Sequence, residues 1–242
     1  MSDIALEKAF EEIHNALPEL LCPSFEEVSS FPKNKKVVER ELNDKLAELR
    51  QKCREGIRHI LGQIAQQDPK KAEALSQSIR EKFNSILTPS VFTLIVLKVV
   101  AGQSWREAFG ISTELLNTLY EQAKIIFEEG RFQEAVSCFI FLSWFDGKQY
   151  DFWMALGHSH FHNAEHLLAI KAYKVASKTC AEEAWPHLYS ALCFEALGNQ
   201  DEAKISVQEA LEKAKQQGDE TVIIDLQKKL EAYKQEPVEP IS

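Results

Sequence analysis

An all-α chain, built as a short right-handed solenoid of three helix–turn–helix repeats, is what this sequence predicts. Two observations predict it. Five series of residues recur at a spacing of 34: Ala123, Gly157 and Ala191; Gly130, Ala164 and Gly198; Ala135, Ala169 and Ala203; Phe139, Tyr173 and Val207; Leu142, Ala176 and Ala210. Elsewhere the apolar residues return every three or four positions, the interval that lines one face of a helix. Small residues let two helices cross closely, and large apolar ones meet the next unit. A single unit cannot cover its own apolar face, so units stack. This is the tetratricopeptide pattern. It predicts a binding surface and no particular chemistry.

The elements follow in chain order. Leu6, Phe10, Ile13 and Leu17 form one helical stripe, after which Pro18, Pro23 and Pro32 break the chain into an extended stretch over 18–32. A long helix begins after the basic cluster Lys33, Lys35 and Lys36. Leu42, Leu46, Leu49, Cys53, Ile57, Ile60 and Ile64 line one face of it, with spacings that resemble a coiled-coil seam. Asp68-Pro69 caps the next helix, whose face is Ala72, Leu75, Ile79, Phe83 and Ile86, and the two helices read as a hairpin. Residues 1–87 are thus a helical extension outside the repeat frame. A further start at Thr88-Pro89 opens the repeat domain, 88–236. Its repeats fall at about 116–149, 150–183 and 184–217, and a closing helix at 220–233 turns Val222, Leu226, Leu230 and Tyr233 inward. Residues 237–242 are expected to be a disordered tail.

Composition narrows the function. The 242 residues carry a formal net charge of −9, which repels nucleic acid and anionic membrane surfaces and argues against both as partners. The five cysteines are odd in number, scattered and without a Cys-x-x-Cys pair, as in a reduced cytoplasmic protein. Residues 91–100 form the strongest apolar run, but Lys98 interrupts it and it falls short of the roughly 20 residues a spanning helix needs. The first ten residues lack a basic-then-apolar export signal.

Catalytic signatures are missing: there is no phosphate-cradling glycine loop, Gly-x-Ser-x-Gly or His-Glu-x-x-His. The chain reads as a protein that is not an enzyme and needs no cofactor. Residues 157–166 (Gly-His-Ser-His-Phe-His-Asn-Ala-Glu-His) are the chemically loudest stretch. His158 and His162 are four apart and suit a metal, yet a third ligand is lacking. The repeat frame places both on the concave side as polar groove residues, and His160 at a helix-packing position. Phe139, Trp153, Tyr173 and Phe194 fall at packing positions as well. Tyr120, Phe127, Met154, Phe161, Trp185 and Leu188 fall on the inner face of the first helices. Stacking does not require apolar residues there, so they suit pockets for a peptide.

Residues 101–112 (Ala-Gly-Gln-Ser-Trp-Arg-Glu-Ala-Phe-Gly-Ile-Ser), with 119–123 (Leu-Tyr-Glu-Gln-Ala) and 130–135 (Gly-Arg-Phe-Gln-Glu-Ala), resemble the class II chaperones of bacterial type III secretion. The likeness continues through 139–146, 152–157 and 169–173 and covers about 89–233. It implies a cytoplasmic bacterial chaperone that keeps pore-forming translocators from aggregating before export, by holding an extended Pro-x-Leu-x-x-Pro segment in a groove. The groove would comprise Tyr120, Lys124, Phe127, Met154, His158, Phe161, His162, Trp185 and Leu188. Tyr120 and Phe127 match the family's aromatic pocket positions, whereas Lys124 stands where an aromatic is usual. The 87-residue extension also departs from the family. Within it, Pro18, Leu20 and Pro23 themselves have the form Pro-x-Leu-x-x-Pro, and two expectations follow: a simple turn, or a self-ligand that fills the groove in its own chain or across a homodimer. A tetratricopeptide scaffold or regulator of folded partners, including a transcriptional co-activator, is the alternative function.

Overall fold

The computed structural model describes residues 35–86, 98–99 and 101–235. Pro18, Leu20 and Pro23, most of the apolar run at 91–100, the boundary at 87–88 and the tail at 237–242 lie outside the described residues. Ten helices and no strand occur among the described residues: α1 Lys35–Gln67, α2 Pro69–Ile86, α3 Trp105–Ala108, α4 Thr113–Glu128, α5 Phe132–Phe145, α6 Tyr150–His162, α7 His166–Thr179, α8 Trp185–Ala196, α9 Gln200–Gln217 and α10 Glu220–Gln235. The pairs α4/α5, α6/α7 and α8/α9 are the three repeats, and each pair packs on the next. α10 closes the stack against α9, with Leu226 buried and Val222, Leu230 and Tyr233 packed alongside.

The repeat frame acts at two kinds of position. At the turns, Gly130 and Gly198 adopt φ of 76° and 73°, and Ala164 adopts 59°. Ala164 is the one residue other than glycine with positive φ among the described residues. At the crossings, Ala123, Ala135, Ala169, Ala191 and Ala203 are completely buried. A Cβ built on Gly157 would lie 2.3 Å from the Tyr173 ring, which explains why the second repeat carries glycine where the others carry alanine.

The segment before the first repeat is a docked lead-in. Ser104 caps α3 through a reciprocal capping box with Glu107, and Ser112 caps α4. Trp105 stacks on Trp144 with centroids 5.5 Å apart, and Phe109 on Phe145 at 5.8 Å. Arg106 Nε donates to the Asp146 carboxylate at 2.6 Å, and Asp146 is almost fully buried. Spaced tryptophan, arginine and phenylalanine thus fasten the lead-in to the end of α5.

The extension is not a separate hairpin. α1 and α2 do pack on each other, but the larger part of the α1 face meets α5. Cys53, Ile57, Ile60 and Ile64 join α4 and α5 in one continuous core. A helix apolar on every side must be buried on every side. α5 is such a helix, with Val136, Ser137, Cys138, Phe141, Leu142 and Phe145 all buried. α1 covers the face that the repeat stack leaves open. The crossing is backbone on backbone: a Cβ on Gly56 would lie 2.1 Å from the Ser137 carbonyl oxygen, and the Cys138 thiol reaches the Gly56 carbonyl at 3.5 Å. Polar contacts frame it, with Arg131 donating to Gln63 at 2.8 Å, Gln63 to Glu129 at 2.9 Å, and His59 2.8 Å from Glu134.

Candidate peptide-binding groove

The expected groove residues lie on the first helices of the three repeats, α4, α6 and α8, and divide along them into three groups. The first repeat supplies an open aromatic floor. Tyr120 is half-buried, edge-on to Phe139 and 5.2 Å from Phe152, and the Lys124 ammonium lies 5.6 Å from its ring centre. Burial, with the Asp151 and Glu121 carboxylates nearby, pushes the Tyr120 hydroxyl up to about 12, so it stays a neutral donor. Lys124 is held by Glu121 at 3.0 Å. The ammonium over Tyr120 gives this floor a cation–π edge in place of a third ring.

At the end of α4 a second aromatic group crosses to the next repeat. Phe127 is edge-on to Phe132 at 5.3 Å and to His162 at 5.5 Å, and His162 lies flat on Phe132 at 4.8 Å. Phe161 continues the series to His162 and His166. His162 remains exposed, while Phe127 and Phe161 are half-buried. The rings come from four helices and are mostly edge-on to one another.

Met154 and His158 depart from the expectation. Met154 is 8% exposed and packs with Ala169, Tyr173, Ala176 and Cys193. Stacking therefore does require it, and it is core instead of pocket. Tyr189 from α8 packs against the same cluster and stacks on Tyr173 at 5.6 Å. The same tyrosine lies 4.4 Å from the His158 ring, and the Tyr173 hydroxyl is 2.9 Å from His158 Nδ1. His158 is largely enclosed, and burial, with His162 nearby, lowers its pKa to about 4. A neutral imidazole locked between two tyrosines is a packing element. Among the described residues no group of three or more His, Cys, Asp or Glu is placed to hold a metal. His160 is buried at 2.7 Å from Glu165, in the packing role expected of it.

The third group is Trp185 and Leu188. Both line a cavity of about 150 Å³ between α8 and α10, shared with Val222, Asp225, Leu226 and Lys229. Its mouth carries Trp185, which is 43% exposed. Val222 and Leu226 face inward as expected, whereas Tyr189 was not anticipated from the repeat frame. The aromatic pair at Trp185 and Tyr189 is a signal that could have been weighed for it.

No helix among the described residues is long and apolar enough to cross a membrane. No protein-family model and no curated protein matches the chain. Solved structures do match. One is a type III secretion system complex from Aeromonas hydrophila, at 22% identity and TM-score 0.53, covering 56% of this chain and 91% of that one. Another is the Yersinia enterocolitica type III secretion translocator chaperone SycD, at 23% identity and TM-score 0.51, covering 54% of this chain and 98% of that one. At these identities the likeness establishes a shared all-α repeat fold.

Proposed function

We propose that this chain is a non-enzymatic chaperone of a bacterial type III secretion system, working in the cytoplasm on hydrophobic translocator proteins. What supports this reading is a fold shared with the translocator chaperone SycD, together with clusters of rings around Tyr120 and Phe127 on the first helix of the first repeat. A translocator later enters a membrane, so its apolar segments need cover until export. A groove that takes an extended, proline-fixed segment supplies that cover at low ordering cost, because prolines restrict the free segment beforehand.

The segment would be of the form Pro-x-Leu-x-x-Pro. Proline rings would lie on the faces of Tyr120 and on the ladder of Phe127, Phe161 and His162, and the Lys124 ammonium would donate to an acidic side chain or a backbone carbonyl between them. Fluorescence anisotropy with a labelled translocator segment tests this. Phe127→Ala with Phe161→Ala should weaken binding at least tenfold, since each lost apolar anchor removes about 1.5–3 kcal/mol. Circular dichroism and a cooperative melt identify the variant as folded. Wild-type affinity in the folded double variant would remove the inner face from the mechanism.

A further inference from the structure

The second helices of the three repeats share an outer register, and among the described residues only the first is covered. Ser137, Lys171 and Ile205 are 34 residues apart. Ser137 on α5 is buried beneath Gly56 of α1, whereas Lys171 is exposed and Ile205 keeps 48% of its surface in solvent. On α7 the uncovered face carries Leu167, Lys171, Lys174 and Lys178, all exposed, and the helix contains no acidic residue. Leu167, at 63%, is the most exposed large apolar side chain among the described residues. On α9 the same positions are Asp201, Ile205, Gln208 and Glu212, also exposed, with Glu209 beside them. One face is thus a basic row with a leucine at its end, and the next is an acidic row with an isoleucine within it. Among the described residues no ion pair reaches Lys171, Lys174, Lys178, Asp201 or Glu212.

We infer that these two faces form an isologous contact between two copies of the chain, with α7 of each copy lying along α9 of the other. Charge selects both the partner and the symmetry. α8 packs on α7 and on α9, and successive second helices of a repeat stack run in the same direction. A two-fold axis parallel to both helices turns the basic row of each copy onto the acidic row of its partner. An axis across the helices would instead set lysine on lysine and acid on acid. The parallel axis pairs each α7 residue with the α9 residue 34 positions on. Lys178 then faces Glu212, and Lys174 faces Gln208 with Glu209 alongside. The Lys171 stem covers Ile205, with Asp201 and Glu209 one turn to either side of it for the ammonium. Leu167 finds the same Ile205 one turn away. Size sets the strength. Helices of 14 and 18 residues offer a strip about 21–27 Å long and about 20 Å wide, on the order of 500 Å² per copy. Stable partners bury about 800 Å² each, so this dimer is transient and sensitive to salt. The inference does not rest on the chaperone reading, since it concerns the outer faces of the second helices.

The test uses the full chain. Sedimentation equilibrium should show a monomer–dimer equilibrium at low salt whose dissociation constant rises at least tenfold at about 0.5 M salt. Lys174→Glu with Lys178→Glu turns the α7 row acidic, and Asp201→Lys with Glu212→Lys turns the α9 row basic. Each variant alone should be monomeric, because like rows now meet. Mixed in equal amounts, the two should pair, since every basic row again finds an acidic one. All four substitutions in one chain should restore self-association for the same reason. Restoration on mixing separates row-against-row pairing from a change in net charge, and circular dichroism melts identify each variant as folded. Three results would each overturn the inference: a wild-type chain that stays monomeric up to about 1 mM, single-row variants that self-associate like wild type, or a mixture that remains monomeric. Failure here leaves the anisotropy test unaffected, because Phe127 and Phe161 lie on the first helices of their repeats.

Discussion

Two glycines in α1, six positions apart, should respond to the same substitution with opposite signs. Gly56 faces α5, and a Cβ there would lie 2.1 Å from the Ser137 carbonyl oxygen and 2.7 Å from its carbon, both backbone atoms that cannot rotate away. Gly62 faces open space, with nothing within 4 Å of its Cβ position. In Gly62→Ala only helix propensity acts, and it favours alanine by about 1 kcal/mol. For a chain of this size that raises Tm by about 2–4 °C. In Gly56→Ala the same gain is present, but α1 must retreat from α5. Overpacking of this kind costs about 1–3 kcal/mol. Each of Cys53, Ile57, Ile60 and Ile64 also loses part of its burial, and an aliphatic side chain fully exposed forfeits about 1.5–3 kcal/mol. The sum should lower Tm by several degrees and open α1 to protease. Differential scanning calorimetry of the two variants, with limited proteolysis, reads both effects. If Gly56→Ala melts at or above wild type with α1 still protected, the crossing is not as described and α1 does not hold the first repeat.

Three more outcomes follow. Met154→Glu buries a carboxylate among Ala169, Tyr173 and Cys193 and should destabilise by several kcal/mol, visible as a collapsed thermal transition; a wild-type melt would return Met154 to the groove. Arg106→Leu strands the buried Asp146 carboxylate and should cost about 3–5 kcal/mol in denaturant unfolding, while the double variant Arg106→Leu, Asp146→Leu should recover much of it. Stability should fall as pH drops from about 6.5 to about 4, because His158 binds its proton in the unfolded chain well before it does in the fold; Tyr173→Phe with His158→Gln should flatten that part of the pH profile in urea titrations.

Much of the fold was legible in the sequence, because a repeat states its own geometry three times. Gly130, Ala164 and Gly198 marked the turns, and the small residues at 123, 135, 157, 169 and 203 marked the crossings, since both roles restrict side-chain size locally. The extension was only half legible. The stripe from Cys53 to Ile64 was plain, but a stripe names no partner, and the complementary signal lay 80 residues away in a fifth helix apolar all round. Glycine at 56 instead of a large seam residue was the clue that two backbones meet there. Along the groove, the frame placed Tyr120 and Phe127 on the inner face and put Met154 and His158 beside them. It could not show that Tyr189 would pack against Tyr173 and His158, because that depends on one side chain of the following unit.

The strap of α1 over α5 also changes how the molecule comes apart. A solenoid whose units touch only their neighbours has no preferred end from which to unravel. Here the first repeat shares a core with α1 and with Phe152, Leu156 and Ala172 of the second, whereas the third repeat and α10 share a smaller core of their own. Loss of structure is therefore polar. α10 and the third repeat form the weakly tethered end and should open through partial unfolding, while the strapped end holds until the whole chain gives way. A ligand seated on Tyr120 and Phe127 would thus rest on the last part of the protein to melt, and an unfolding machine pulling from the C-terminus would dismantle the closing end before it disturbed that grip.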